Sequence, residues 1–156
     1  MSLVKVKEYF KKYNMEDKIM EFDTSSATVA LASDVIGCTP DEIAKSLAFT
    51  VGDTYVIIVM AGNFRIDNAK YRKEFNTKAK MINKEELDKL IGHEVGGICP
   101  FAIHDNVLVY LDNSLKRFKY IYPACGSSNS AIKLSILELE KYSNYVKWID
   151  VCKEVK

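Results

Sequence analysis

The feature that most constrains this fold is a pair of apolar segments joined by a two-residue turn. Residues 45–51 alternate in character, with their apolar side chains on one face, as in a half-buried strand. Gly52-Asp53 is typical of a tight hairpin turn. Residues 55–60 are apolar at every position, so they predict a strand that is covered on both faces. The expected middle of the fold is therefore a hairpin with one central strand.

Helical patterns surround this hairpin. The N-terminal segment places Val6, Tyr9, Phe10 and Tyr13 on one helical face. A second helix is expected after Thr24 or Ser25, with Gly37 as its C-terminal stop. The inward face of this second helix is predicted to contain Ala27, Ala30, Leu31 and Val35. The capping box at 39–42 predicts a short helical turn that leads into the hairpin.

The helix and strand patterns in the rest of the chain indicate the fold class. They predict helices after Asp67, from Asn83 to Gly92 and over 135–139, and strands at 19–22, 107–111, 120–122 and 132–134. Helices and strands alternate irregularly, and several neighbouring strands are expected to be antiparallel. The predicted class is therefore α+β, with a mixed sheet rather than a doubly wound parallel one.

Length and composition favour one ordinary globular domain. The chain has 156 residues, of which 48% are hydrophobic and 28% are charged, and it shows no repeat or linker. Residues 1–156 are therefore predicted to form a single domain. The longest apolar run is far shorter than the roughly 20 residues of a membrane helix, and the N-terminus lacks the apolar core of a secretory signal. We expect no membrane association.

The cysteines and the net charge bear on compartment and partners. Cys38, Cys99, Cys125 and Cys152 lack the close spacing of a zinc or redox motif, so we expect reduced thiols in the cytoplasm. The sequence also lacks His-Glu-x-x-His and a dinucleotide fingerprint, and no metal or cofactor is expected. The formal net charge of +1 argues against non-specific coating of nucleic acid, and no DNA partner is expected. A local basic patch remains compatible with this total.

Lys45 is the first candidate functional residue. If a strand begins at Lys45, its side chain shares a face with Leu47 and Phe49 and points toward buried surface or into a cleft. A buried ammonium needs a partner or a ligand, because isolation from water is costly. The alternative, which the pattern alone favours, is a lysine at a helix–strand junction that reaches solvent.

Residues 92–101 form the most unusual segment of the chain. The adjacent Gly96 and Gly97 allow close approach of a ligand, and their N–H groups could bind a carbonyl or a developing oxyanion. A plain loop that leaves a helix is the alternative. His93 could act as a general base or orient a substrate, or it could be a loop histidine favoured by a helix dipole.

Three further positions could bind polar groups. Asp112 follows the predicted strand 107–111 and could bind a hydroxyl or an amine, although an Asp there can equally cap the next turn. Gly126 and Ser127 begin a turn whose N–H and hydroxyl donors could hold a phosphate or a ribose. That turn lacks the spacing of a phosphate-binding P-loop, so by itself it is a tight turn.

Four segments in order along the chain resemble a known family. They read TPDEIAKSL (39–47), GHEVGGICPF (92–101), VYLDNSL (109–115) and PACGSSNSAIKL (123–134). Together they resemble the YbaK/EbsC family, which is similar to the editing domain inserted in bacterial prolyl-tRNA synthetases. The resemblance covers nearly the whole chain. It implies a curved, mixed, barrel-like sheet with flanking helices.

The resemblance also implies a function. It implies metal-independent hydrolysis, in trans, of the ester that joins a wrong amino acid to tRNA. Aminoacyl-tRNA is the implied partner, and a prolyl-tRNA synthetase is a further candidate. The lysine matching Lys45 is the family's functional lysine, and the loop matching Gly96-Gly97 lines the aminoacyl pocket, while Asp112, Gly126 and Ser127 match further motif positions. A non-catalytic module that binds tRNA ends, nucleotides or a synthetase, and a purely structural protein, are the alternatives.

Overall fold

A curved β-sheet flanked by helices forms the architecture. The structure is a computed structural model, and it describes residues 2–24 and 28–155. Within these ranges the helices are α1 (Ser2–Lys11), α2 (Val29–Ile36), α3 (Asn68–Phe75), α4 (Leu87–Leu90) and α5 (Ile136–Ser143). The strands are β1 (Met20–Glu21), β2 (Ile43–Val51), β3 (Thr54–Ala61), β4 (Phe64–Ile66), β5 (Val107–Asp112), β6 (Tyr120–Pro123), β7 (Ser130–Ala131), β8 (Leu134–Ser135), β9 (Lys147–Ile149) and β10 (Cys152–Glu154).

The predicted hairpin is confirmed at the centre of the sheet. β2 and β3 pair antiparallel along their length, and Val51 lies opposite Thr54 next to the turn. Gly52 in the turn takes a φ of +58°, which a residue without Cβ adopts at little cost. β3 is buried from Val56 to its end, as expected for a strand with a neighbour on each side and packing on both faces.

The sheet around this hairpin is mixed and half-closed. The strand order is β8-β6-β2-β3-β5-β9. β2 and β3 pair antiparallel, as do β6 and β8, whereas β2 with β6, β3 with β5, and β5 with β9 are parallel. Strand twist curls this sheet into a half-barrel. The predicted α+β class, with a curved, mixed, barrel-like sheet and flanking helices, is confirmed.

Two apolar clusters cover the two faces of the sheet. Side chains alternate along β2, so Ala44 and Ala48 face the larger cluster, which includes residues of α1, α4 and α5. Phe49 faces the smaller cluster, which includes Tyr71 of α3. Lys45 has the same parity as Phe49, so its side chain leaves β2 on the face of the smaller cluster.

The caps predicted at Asp67 and at Thr39 with Glu42 are confirmed, whereas the capping box expected from Asn83 and Glu86 is wrong, because Asn83 makes no side-chain cap bond. The carboxylate of Asp67 accepts from two backbone N–H groups at the start of α3. Ser135 and Glu138 form a capping box at the start of α5. Thr39 and Glu42 form another around the 3₁₀ turn that precedes β2. Each cap satisfies N–H groups that a helix leaves unbonded at its first turn.

The start of the second helix differs from the prediction. α2 begins after Thr28, whose hydroxyl accepts from the Leu31 N–H at 3.1 Å, so Thr24 does not cap it. Ser25, the other candidate cap, lies outside the described residues. The predicted stop is confirmed, because Gly37 follows the helix with a φ of +85°.

The inward face of α2 was also predicted wrongly. Ala32 and Ser33 are buried, whereas Ala30 and Leu31 are exposed and Val35 is half-buried. Ala27 lies outside the described residues. The prediction followed apolar character alone. In the structure α2 lines an open cleft, described below, with Val29, Ala32 and Ile36, so Ala30 and Leu31 lie on other sides of the helix.

The margins of the sheet were predicted less well than its centre. The expected strand at 132–134 is split, because β7 pairs with β1 while β8 pairs with β6. β4, β9 and β10 were not predicted. β4 pairs with β10, and β9 extends the main sheet beside β5. These strands contain only two or three residues each, which is too short for a periodic signal.

Candidate active site

A cleft of about 570 Å³ opens at the edge of β2 that faces away from β3. β6 pairs with this edge only at Ile43 and Ala44. The segment 80–82 bonds to the same edge only further along, where the Ile82 N–H donates to the Ala48 carbonyl at 3.0 Å. Within the described chain, no strand lies beside residues 45–47 on this edge. The cleft is therefore a gap in the sheet.

The wall of the cleft is mostly apolar and carries positive charge. Side chains from α2, from residues 81–87 and from the loop 95–98 supply most of its surface. Lys45 and Lys84 line it, and no Asp or Glu occurs among the described lining residues. A ligand with an uncharged apolar part and a nearby anionic group suits such a wall.

Lys45 is held beside the cleft by two turns. Its Nζ donates to the Gly62 carbonyl at 3.2 Å, and the side chain is half-buried. Burial lowers the pKa of this ammonium, and the nearby Cys152 thiol acts in the opposite direction. Gly62 packs so closely that a Cβ there would lie 2.1 Å from the Pro40 carbonyl oxygen. The capping turn before β2 and the turn after β3 thus fix the position of the lysine.

The next residue on β2, Ser46, lines the same cleft. Its Oγ is buried and has no hydrogen-bond partner among the described residues. This residue was not a candidate in the sequence, because a serine in an alternating strand is ordinary. Only the gap in the sheet makes its polar atoms available to a ligand.

The two adjacent glycines take different positions. Gly96 lines the cleft and has a φ of +87°, which favours glycine. The N–H of Gly97 instead donates to the Glu94 carbonyl at 3.0 Å, and Gly97 is not part of the cleft wall. A Cβ on Gly97 would lie 2.4 Å from the carbonyl carbon of Gly126, so this glycine is needed for close packing. Of this pair, the structure brings Gly96 to the same cleft as Lys45.

His93 lies behind the loop, outside the cleft wall. It is fully buried, and its Nε2 lies 2.6 Å from the Phe101 carbonyl oxygen, so Nε2 carries the proton and donates. Burial lowers the pKa of His93, which therefore stays neutral. Cys99 Sγ lies 3.5 Å from the same nitrogen, but burial raises the pKa of this thiol to about 12. The contacts of His93 hold the loop 92–101 together.

Asp112 is also buried away from the cleft. One carboxylate oxygen accepts from the Ser114 N–H at 2.9 Å, and the other accepts from the Val151 N–H at 2.9 Å. These bonds tie the end of β5 to the turn that follows it and to the C-terminal segment. A direct contact of either His93 or Asp112 with a substrate stays a prediction.

Gly126 and Ser127 lie in the turn that supports the glycine loop. The Gly126 N–H donates to the Gly97 carbonyl at 3.1 Å. The Ser127 hydroxyl bonds to the Ser130 hydroxyl at 2.7 Å and to the Asn129 side chain at 2.9 Å. Ser130 lines the cleft, so Ser127 adjoins the cleft through it rather than directly.

Membrane-spanning helices and metal-ligand clusters are absent from the described residues. None of the helices there has the length and apolar character needed to cross a membrane. No group of three His, Cys, Asp or Glu side chains in that part of the chain could hold a metal ion. All four cysteines are free thiols.

The fold and the cleft together define a class, a small α+β domain with a lysine-bearing pocket at an open strand edge. The chain belongs to the aminoacyl-tRNA editing domain family, whose model matches residues 23–142. Membership of this family indicates a role in tRNA editing.

The chain is also similar to several known proteins. The chain is 49% identical over 99% of both chains to YwhH of Bacillus subtilis (strain 168), a protein described as uncharacterized. It is 24% identical to the proline–tRNA ligase of Geobacillus sp. (strain WCH70) over 65% of this chain, which corresponds to 18% of the ligase. A solved structure described as a candidate trans-editing enzyme for prolyl tRNA synthetase has a TM-score of 0.87, 22% identity and 97% coverage of both chains. That likeness shows the fold.

Proposed function

We propose that this protein is a trans-acting aminoacyl-tRNA deacylase. In this reaction water attacks the carbonyl carbon of the ester between a wrong amino acid and the terminal ribose. The bond from that carbon to the ribose oxygen breaks, and the ribose oxygen takes a proton. The products are the free amino acid and uncharged tRNA.

The observation that carries this proposal is the shared cleft of Lys45 and Gly96. The two residues are far apart in sequence, yet both line one pocket, which has room for an aminoacyl group. A lysine exposed far from the glycine loop would have favoured a purely structural role. The cleft instead combines a cation with a loop whose backbone can approach a ligand closely.

The cleft contains few groups that could take part in catalysis, and hydrolysis of an aminoacyl ester needs few. Aminoacyl esters are activated, so positioning and electrostatic stabilisation are sufficient to accelerate hydrolysis. We expect the Gly96 N–H to donate to the ester carbonyl as negative charge develops on its oxygen. Lys45 would neutralise either that charge or the adjacent phosphate. We assign no general base.

Basic residues beside the cleft support an RNA partner. Residues 65–84 contain seven basic and two acidic side chains, although the whole chain has a net charge of only +1. Lys84 lines the cleft, and Lys78 and Lys80 are exposed on the segment leading to it. Such a local patch suits the phosphates of a tRNA acceptor end. The reaction would take place in the cytoplasm, where aminoacyl-tRNA is used, and a prolyl-tRNA synthetase remains a candidate partner.

Deacylation of a panel of charged tRNAs tests this proposal. The panel contains prolyl-tRNA, tRNA for proline mischarged with alanine or cysteine, and seryl- and threonyl-tRNA. Wild type is compared with Lys45→Ala and with Lys153→Ala, an exposed lysine outside the cleft. We expect release from a mischarged species that is lost only in Lys45→Ala. Binding of tRNA without any release would contradict the enzyme and support a non-catalytic tRNA-binding module.

A further inference from the structure

The free edge of β2 presents one complete set of backbone hydrogen-bonding groups to the cleft. Backbone groups alternate in direction along a strand. The Ala48 carbonyl and the Thr50 N–H bind the segment 80–82 on the side opposite β3, so the groups of Ser46, two residues earlier, point to that side as well. The ladder with β6 stops at Ala44. Neither the N–H nor the carbonyl of Ser46 has a hydrogen-bond partner within the described part of the chain.

The side chain of Ser46 adds a third unpaired polar group at the same place. Its Oγ is buried, lines the cleft and has no partner among the described residues. Buried polar atoms in folded proteins nearly always have partners, and an exception in a cleft indicates a ligand contact. Ser46 therefore offers a ligand three groups: a backbone N–H donor, a backbone carbonyl acceptor and a side-chain hydroxyl.

The cleft also lacks the usual partner for an ammonium. An aminoacyl ester carries a positively charged α-amino group, yet none of the described lining residues is acidic. The α-amino group must therefore be held by neutral acceptors such as a carbonyl or a hydroxyl. Ser46 offers both.

We propose that the aminoacyl group binds Ser46 as a single residue of a missing β-strand. This inference rests on the proposed deacylase function. The α-ammonium donates to the Ser46 carbonyl. The ester carbonyl oxygen, which has two lone pairs, accepts from the Ser46 N–H in addition to the Gly96 N–H. The two partners exchange both bonds, as directly opposed residues do in an antiparallel ladder. The Ser46 hydroxyl accepts a further hydrogen bond from the α-ammonium.

This pairing has a stereochemical consequence. Opposed residues in an antiparallel pair place their side chains on the same face of the sheet. The side chain of an L-amino acid would lie on the face of Ser46, between the small side chains of Ala44 and Ala48. The side chain of a D-amino acid would turn toward the face of Lys45. The proposal therefore requires both the α-amino group and the L configuration.

Three non-hydrolysable adenosine probes test the pairing on the intact protein. The first carries L-alanine in amide linkage at the 3′ position, the second carries D-alanine, and the third carries L-lactate, which replaces the α-amino group by a hydroxyl. Binding is measured by nuclear magnetic resonance titration of the ¹⁵N-labelled protein. We expect the L-alanyl probe to shift the Ser46 amide resonance, and both other probes to bind about tenfold more weakly, because a charge-assisted hydrogen bond or the side-chain position is lost.

Substitutions at Ser46 give a second readout. Ser46→Ala should weaken binding of the L-alanyl probe about fivefold by removing one hydrogen bond, and Ser46→Thr should restore it. Thr50→Ala is the matched control, because Thr50 lies on the same strand and face outside the cleft. Equal binding of the alanyl and lactyl probes, with tRNA deacylation intact, would overturn the pairing but leave the enzyme. Absence of both probe binding and deacylation would overturn the proposed function and the pairing with it.

Discussion

The free edge of β2 and the packed region behind the glycine loop use polar groups in opposite ways. At the edge, the Ser46 hydroxyl is buried without a partner in the described chain. The Lys45 ammonium there donates to one described acceptor, the Gly62 carbonyl. Behind the loop, Gly97 and Gly126 are bonded to each other, and His93 Nε2 is bonded to the Phe101 carbonyl. At the end of β5, also away from the cleft, both oxygens of Asp112 are bonded. Both regions are built from the four segments that carry the family resemblance.

This difference separates residues that can bind a substrate from residues that stabilise the fold. Unpaired polar groups in a cleft cost stability and are available to a ligand, whereas satisfied buried groups stabilise the fold and have little left to offer. Substitutions in the packed region should therefore lower the free energy of unfolding. Substitutions at the cleft should lower activity without lowering stability.

The largest effect is expected for Gly97→Ala, in the packed region. The new Cβ would meet the backbone of Gly126 at 2.4 Å, and backbone cannot move aside as a side chain can. We expect a loss of about 3 kcal/mol or more in the free energy of unfolding, measured by urea denaturation. Gly52→Ala is the control, because it has open space and only its φ of +58° to accommodate, at about 1 kcal/mol. Equal losses in the two variants would refute the packing role of Gly97.

Lys45→Met should show the reverse pattern, with deacylation lowered about 100-fold and no loss of stability. Burial lowers the pKa of Lys45 in the folded protein, so the unfolded chain binds more protons between that lowered pKa and the usual value of 10.5. The free energy of unfolding of wild type should therefore rise with pH across this window relative to Lys45→Met. Thermal denaturation of both proteins between pH 7 and pH 11 measures this, and a variant that is less stable at pH 7 would contradict it.

Asp112→Asn should reduce stability by about 2 kcal/mol, because an amide can accept at one position only and places a donor against a buried N–H. The turnover number of the protein that remains folded should stay unchanged. Asp105→Asn, at an exposed position, serves as control. If Asp112→Asn abolished deacylation without lowering the melting temperature, Asp112 would belong to the catalytic machinery.

The smallest effect is expected at the rim of the cleft. Lys80→Gln should raise the KM for aminoacyl-tRNA about threefold and reduce the slope of log binding against log salt by about one, since one phosphate contact is lost. Binding of the L-alanyl adenosine probe should not change. Lys141→Gln, an exposed lysine outside the cleft wall, is the control. An equal effect of both substitutions would show that no defined RNA path passes Lys80.

The sequence predicted the long, periodic elements well and the short ones poorly. The hairpin of β2 and β3, the strand at 107–111 and the cap of α3 carry their own local signals, and the structure confirms them. β4, β9 and β10 are stabilised mainly by the strands with which they pair, so the local sequence contains no signal that predicts them. The inward face of α2 was misjudged because apolar character alone does not fix which face is covered: Ser33 is buried and Leu31 is exposed.

For the candidate site, the sequence by itself determined which residue types were available and where the backbone could bend. Lys45 and Gly96 were named from parity, glycine content and family resemblance, and both line the cleft. Only the tertiary structure placed Gly97, His93 and Asp112 behind the cleft wall, because burial and hydrogen-bond partners depend on distant segments. Ser46 was also identified only from the tertiary structure. A gap in a sheet depends on which strands pair, and the local sequence around Ser46 does not indicate it.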